Sequence, residues 1–134
     1  MIDTRLKALV TGASSGIGAA TAIELAKRGF AVIVHYFNNV KGGLETIEAI
    51  QRAGGVAHGI KADVRHLTEV EKLVNEAVAS HGGIDVLVNN AGSMVGRVHF
   101  LEMTEEYWNE VFRLNVDSVF YCSQLVAKEM AKQK

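Results

Sequence analysis

Residues Thr11–Gly18 read TGASSGIG, three glycines and two serines set between the apolar run Lys7–Val10 and a stretch of helical period. So few of these side chains can pack that the backbone itself becomes the candidate chemical group. A loop that leaves a strand and opens a helix presents unpaired N–H groups and the positive end of the helix dipole, which together attract a phosphate. Gly12 can take backbone angles that a Cβ would forbid in a tight exit from the strand. Gly16 and Gly18 let the backbone approach a pyrophosphate and let helix and sheet pack closely. Ser14 and Ser15 add hydroxyl donors. The spacing G-x-x-x-G-x-G departs from G-x-G-x-x-G, so the generic dinucleotide fingerprint is not matched.

Other residues that could do chemistry are poorly placed for it. His35, His58, His66, His81 and His99 are dispersed without metal-site spacing and read as surface or strand-end residues. Glu105 and Glu106 point in different directions on a helix and make a poor acid/base pair. Trp108 reads as core. Cys122, with no basic neighbour in sequence, reads as a small buried thiol; as the lone cysteine it excludes an internal disulfide and fits a reducing compartment, here the cytoplasm.

The elements that must position the glycine loop follow from periodicity. Short apolar runs alternate with segments of helical period, the signature of βαβ units. Strands are expected at Lys7–Thr11, Ala31–Tyr36, Val56–Lys61 and Asp85–Asn89. The continuous β-branched run AVIVHY suits a parallel strand covered on both faces. Helices are expected at Gly16–Arg28, with Ala22, Leu25, Ala26 and Gly29 inward, and at Val40–Ala53, with Leu44, Ile47 and Ile50 on one face. A third, with Val70, Leu73, Val74, Ala77 and Val78 inward, is predicted to start on a Thr68/Glu71 capping box. After a loop over Gly92–Val98, the chain is expected to be helical from Thr104 to its end and apolar nearly all round, which calls for a partner beyond its own sheet.

Composition bounds the function. The 134 residues, 49% hydrophobic, suffice for one domain. A net charge of -1, from 14 basic and 15 acidic residues without blocks of one sign, lacks the footprint of a nucleic-acid binder. The charged amino terminus is unlike a signal peptide, and no apolar run reaches membrane-spanning length.

TGASSGIG, together with NNAG at Asn89–Gly92, resembles the short-chain dehydrogenase/reductase family, and Asp63-Val64 and Asn115-Val116 add two further matches. The resemblance implies an α/β, doubly wound, Rossmann-like parallel sheet in three layers, with strand order 3-2-1-4 for the part present. It implies a nicotinamide dinucleotide bound across the strand ends and hydride transfer between an alcohol and a carbonyl. Gly12, Ser14, Ser15, Gly16, Ile17 and Gly18 would surround the pyrophosphate and its ribose. Asp63 would accept a hydrogen bond from the adenine amino group, with the Val64 backbone beside the ring. Asn90, Ala91 and Gly92 would line the ribose side, and Asn89 would help to fix the fourth strand. Asn115, expected inside because its helical neighbours are apolar, would interrupt its helix and help hold a water in a proton relay. A small-molecule carbonyl or alcohol is the implied substrate, and pairing of apolar helices in a homodimer or homotetramer the implied assembly.

The end of the second strand bears on cofactor choice. An acid there would bind the ribose 2′-hydroxyl of NAD and repel the phosphate of NADP. No Asp or Glu stands between Gly29 and Gly43; Tyr36 falls at the acid's position, followed by Phe37, Asn38 and Asn39, with Lys41 close by. NADP(H) is therefore expected over NAD(H), though no arginine stands at Phe37 to clamp a phosphate. The family's mechanism uses a tyrosine with a lysine four residues later. Tyr36, Tyr107 and Tyr121 are followed at that distance by Val40, Val111 and Leu125. The chain is thus expected to be the cofactor-binding half of a longer enzyme, inactive alone. The alternative is a nucleotide-binding or oligomerising module without turnover.

Overall fold

The computed structural model describes residues 3–133. Four strands, β1 (Lys7–Val10), β2 (Ala31–Tyr36), β3 (Val56–Lys61) and β4 (Val86–Val88), form one sheet in the order β3-β2-β1-β4. Every pair is parallel, with Leu9 beside both Ile33 and Leu87, and Ile33 beside His58. Helices α1 (Gly16–Lys27), α2 (Val40–Arg52) and α3 (Leu67–His81) make the crossovers, and α4 (Glu105–Phe112) and α5 (Ser118–Gln133) follow β4. This is the doubly wound arrangement expected, with the expected strand order.

Successive strand side chains point to opposite faces, and the core divides accordingly. Leu9 and Ile33 pack with Val70, Leu73 and Val74 of α3 and with Cys122 and Val126 of α5. Val10, Val32 and Val34 pack on the other face with Ala22 of α1 and Ile50 of α2. Burial pushes the Cys122 thiol up to about 11, consistent with an inert packing role.

Several boundaries and faces differ from expectation. Thr11 and Asn89 lie outside their strands because each turns into the loop above the sheet. Asp85 precedes β4, yet its backbone N–H donates to Lys7 and its carboxylate accepts the Lys7 N–H at 2.7 Å. The capping box does not form: the N-cap of α3 is His66, Thr68 and Glu71 both lie within the helix, and the neighbouring Glu69 accepts the Asp63 N–H at 3.2 Å. On α2, Leu44 is 54% exposed, while Gly43, Thr46 and Ile50 face inward. Thr46 holds that position because its hydroxyl lies 2.9 Å from the Ala13 carbonyl oxygen.

The final helical segment is broken. Thr104 caps α4 by accepting the Tyr107 N–H at 3.1 Å, and Glu105 and Glu106 occupy its first turn. A π-helical turn over Arg113–Asp117 then separates α4 from α5. Trp108 is not core: it is 52% exposed and stacks on Phe112 with ring centroids 4.8 Å apart. Phe112, Val116, Val119 and Phe120 are exposed as well. No helix among the described residues is long and apolar enough to cross a membrane.

Candidate functional site

The carboxyl ends of all four strands meet at one side of the sheet, where loops diverge and leave a crevice. A cleft of about 340 Å³ lies there, walled by Gly12 and Ser14, by His35–Asn39, by Asp63–Arg65, and by Ala91–Ser93 with Val95 and Leu114. It unites the cofactor-binding candidates Gly12, Ser14, Tyr36, Phe37, Asn38, Asp63, Val64, Ala91 and Gly92. Ser15, Gly16, Ile17, Gly18, Asn90 and Asn115 stand outside that wall.

The two glycine-containing motifs hold each other. The Thr11 hydroxyl oxygen accepts the backbone N–H groups of Asn90 and Ala91, each at 3.0 Å. In return the Asn90 amide donates to the carbonyl oxygens of Thr11 and Gly12 at 3.1 and 3.0 Å. Asn90 thus braces the loop from beneath. Asn89 points elsewhere, donating to the Ser123 hydroxyl at 3.0 Å and so tying the exit of β4 to α5.

This bracing requires glycine at two places. Gly12 has φ of +62°, and a Cβ there would lie 2.8 Å from Ala91 Cα. A Cβ on Gly18 would lie 2.2 Å from the Gly12 carbonyl oxygen and 2.4 Å from the Asn90 amide nitrogen. Helix α1 therefore starts directly against the loop. Its N-cap residue, Ser15, makes no side-chain cap, so the first-turn N–H groups keep their capacity for an anion. Ile17, in that turn, is 80% exposed.

His35, expected with the other histidines at the surface or a strand end, stands next to the end of β2 but is buried. It is 2% exposed, with Nδ1 accepting the Gly12 N–H at 3.0 Å and Nε2 2.8 Å from the Ala62 carbonyl oxygen. The first contact needs a lone pair and the second a proton, so the ring is the neutral Nε2–H tautomer. Burial holds its pKa below the usual histidine value, against the opposing pull of the Ala62 carbonyl and the Asp63 charge.

At the end of β2, Asn39 is spent on structure: its side chain accepts the Gly42 N–H at 3.0 Å and caps α2. Lys41 lies outside the cleft wall, 3.8 Å from Glu45 and highly exposed. Asp63, 5% exposed, is gripped by Arg65, whose Nε and Nη2 donate to it at 2.9 and 2.6 Å. Burial works to raise the Asp63 pKa, but the Arg65 contacts outweigh it and hold the carboxyl below its ordinary value.

Asn115 lies in the π turn and is exposed rather than inside. Its amide donates to the carbonyl oxygens of Ser93 at 2.7 Å and Val111 at 2.8 Å. The expected interruption of the helix is there, and the polar contacts that permit it come from the loop after β4 instead of a core. Thr11, His35 and Arg65 were not among the candidates read from the sequence. His35, the one polar residue before Tyr36 in an apolar buried strand, carried a signal, since a buried polar group needs partners.

Residues 6–134 match the family described as short chain dehydrogenase. A probable tetrahydroxynaphthalene reductase of Zymoseptoria tritici is 39% identical over 124 residues, 92% of this chain and 46% of that protein. Among solved structures, a hydroxysteroid dehydrogenase from Escherichia coli superposes with a TM-score of 0.88 at 36% identity, covering 98% of this chain and 55% of the other. A variant of actinorhodin polyketide ketoreductase with NADPH gives 0.88 at 38% identity, covering 96% and 49%. The chain belongs to the short-chain dehydrogenase/reductase family of oxidoreductases, and spans about half the length of the curated relatives it matches.

Proposed function

We propose that this chain is the cofactor-binding half of an enzyme interconverting a small-molecule alcohol and carbonyl, with NADP(H) preferred over NAD(H). The observation that carries the reading is the glycine cradle: Gly12 and Gly18 admit no Cβ, and the uncapped start of α1 lies against them. Backbone N–H groups there would hold the pyrophosphate, with Ser14, Ser15, Gly16 and Ile17 around it and the ribose. Asp63 would accept the adenine amine, Val64 would flank the ring, and Ala91 and Gly92 would border the nicotinamide ribose. The bound dinucleotide supplies or accepts the hydride.

Two features support the phosphate-bearing cofactor. The residues that wall the cleft at the end of β2, Tyr36–Asn39, include no acid. Asp63, the acid in the cleft wall, already has its charge matched by Arg65. Asn115 would act by position, holding the Ser93 carbonyl and the π turn in place beside Gly92. None of these tyrosines has a lysine four residues on, so we place proton transfer outside residues 1–134 and expect no turnover from this chain by itself. Calorimetric titration with NADPH and NADH tests the reading.

The exposed Trp108, Phe112, Val116 and Phe120 favour self-association through α4 and α5. Analytical ultracentrifugation should show a dimer or tetramer that Phe120→Glu dissociates; a wild-type monomer at micromolar concentration would contradict this.

A further inference from the structure

We propose that Arg65 is the positioning residue of the adenine subsite: bridging Asp63 and Glu110, it aims the Asp63 carboxylate along the cleft wall and ties that wall to α4. The inference rests on the dinucleotide reading and adds to it a residue from outside the glycine and NNAG motifs.

Asp63 receives three donors from Arg65: the backbone N–H at 3.1 Å, Nε at 2.9 Å and Nη2 at 2.6 Å. A planar guanidinium that grips both carboxylate oxygens fixes the direction of the group as well as its charge. The remaining nitrogen, Nη1, reaches across to Glu110 Oε2 at 2.9 Å, and the other oxygen of Glu110 takes Arg113 Nη1 at 2.8 Å. Opposite charges therefore alternate from the end of β3 to the first residue of the π turn. With two arginines facing two carboxylates, Arg65 is not a free cation awaiting a phosphate. Its guanidinium carbon also lies 5.9 Å from the centre of the Phe37 ring, and both residues line the cleft.

The consequence is chemical. An ionised carboxylate is the stronger acceptor for an amine donor, and a buried carboxyl stripped of its counter-charge titrates upward. The groups facing Asp63 are Arg65 and His66 from its own turn, Glu69 of α3, Glu110 of α4 by way of Arg65, and His35 of β2. Two of these are acids and two are histidines, so Arg65 is the permanent cation that keeps the acceptor charged. Removing the guanidinium should blunt recognition of the amine, most of all in acid.

The test compares NADPH with its deaminated analogue, which carries hypoxanthine in place of adenine. Both bear the same phosphates, so their affinity ratio isolates the amine. The wild-type chain should prefer NADPH by roughly tenfold, as for a hydrogen bond to a charged acceptor, with a ratio constant between about pH 5 and 8. Arg65→Met should lower the ratio several-fold at about pH 8 and bring it close to one as pH drops toward about 5. Glu110→Gln should lower it by about threefold, leaving the Asp63 pair in place. Carboxyl-carbon NMR of Asp63 in ligand-free Glu110→Gln protein, which should titrate lower than wild type because a like charge is gone and Arg65 is left to Asp63 alone, keeps the test decisive if Arg65→Met fails to fold. An unchanged ratio in folded Arg65→Met, or an unchanged Asp63 titration in Glu110→Gln, would overturn the assignment of Arg65. Failure of the wild type to bind either nucleotide would instead overturn the dinucleotide reading.

Discussion

The backbone N–H of Gly12 donates to His35 Nδ1 at 3.0 Å, which places a titratable ring directly beneath the phosphate-loop candidate. The contact exists only while Nδ1 keeps its lone pair. Protonation would set N–H against N–H at the point where the loop turns, and would charge a ring that is almost wholly buried.

Stability should therefore depend on pH in a definite direction. His35 titrates below its ordinary value of 6.5 in the folded chain, so between that value and its folded pKa the unfolded chain binds more protons. The stabilisation is complete above 6.5 and is lost as pH falls below it. His81 adds to the effect: burial, His58 and Lys7 lower its pKa, Asp3 opposes them, and its Nε2 has no hydrogen-bond partner. Thermal melts should show Tm dropping from about pH 7.5 to about pH 5.5, and the slope should shrink in His35→Asn and nearly vanish when His81→Asn is added. A Tm independent of pH across that window would contradict the neutral tautomer.

Thr11, a buried loop residue, should matter for stability through its hydroxyl. Its hydroxyl oxygen serves two backbone donors, those of Asn90 and Ala91. Thr11→Val keeps the shape and strands both, so unfolding in urea should show a loss of about 2–4 kcal/mol, while Thr11→Ser should recover most of it. Equal stability of the valine and serine variants would show that the hydroxyl does not join the two motifs.

Legibility followed the range over which a residue's role is decided. The four strands and the first three helices were readable because continuous β-branched runs and a 3.6 period are local properties. Val70, Leu73, Val74 and Ala77 are all buried as their spacing required. Leu44 was misread because α2 approaches so closely that Gly43 faces the Tyr36 ring, where a Cβ would lie 2.5 Å away. The capping box failed because α3 starts early, on an N-cap of His66, which leaves Thr68 and Glu71 both inside the helix. Asn115 looked buried only on the assumption that its apolar neighbours Val111, Phe112 and Val119 lie inside, whereas Phe112 and Val119 are exposed.

The site was half legible. Glycines advertise a backbone role in sequence, and Gly12 and Gly18 have it. The hydrogen bonds that join Thr11 to Asn90, and Arg65 to Glu110, connect residues far apart in the chain with no periodic relation. Only folding brings them together.

The central claim is that the bare start of α1 holds a dinucleotide's phosphates. Isothermal titration of the chain with NADPH and NADH, beside folded Gly18→Ala protein, tests it most directly. Binding of NADPH more tightly than NADH, weakened by at least about tenfold in the alanine variant, is the result expected where a Cβ pushes the Gly12 carbonyl and the Asn90 amide apart and displaces the phosphate loop. No heat with either nucleotide at high excess, or equal binding by Gly18→Ala, would contradict it.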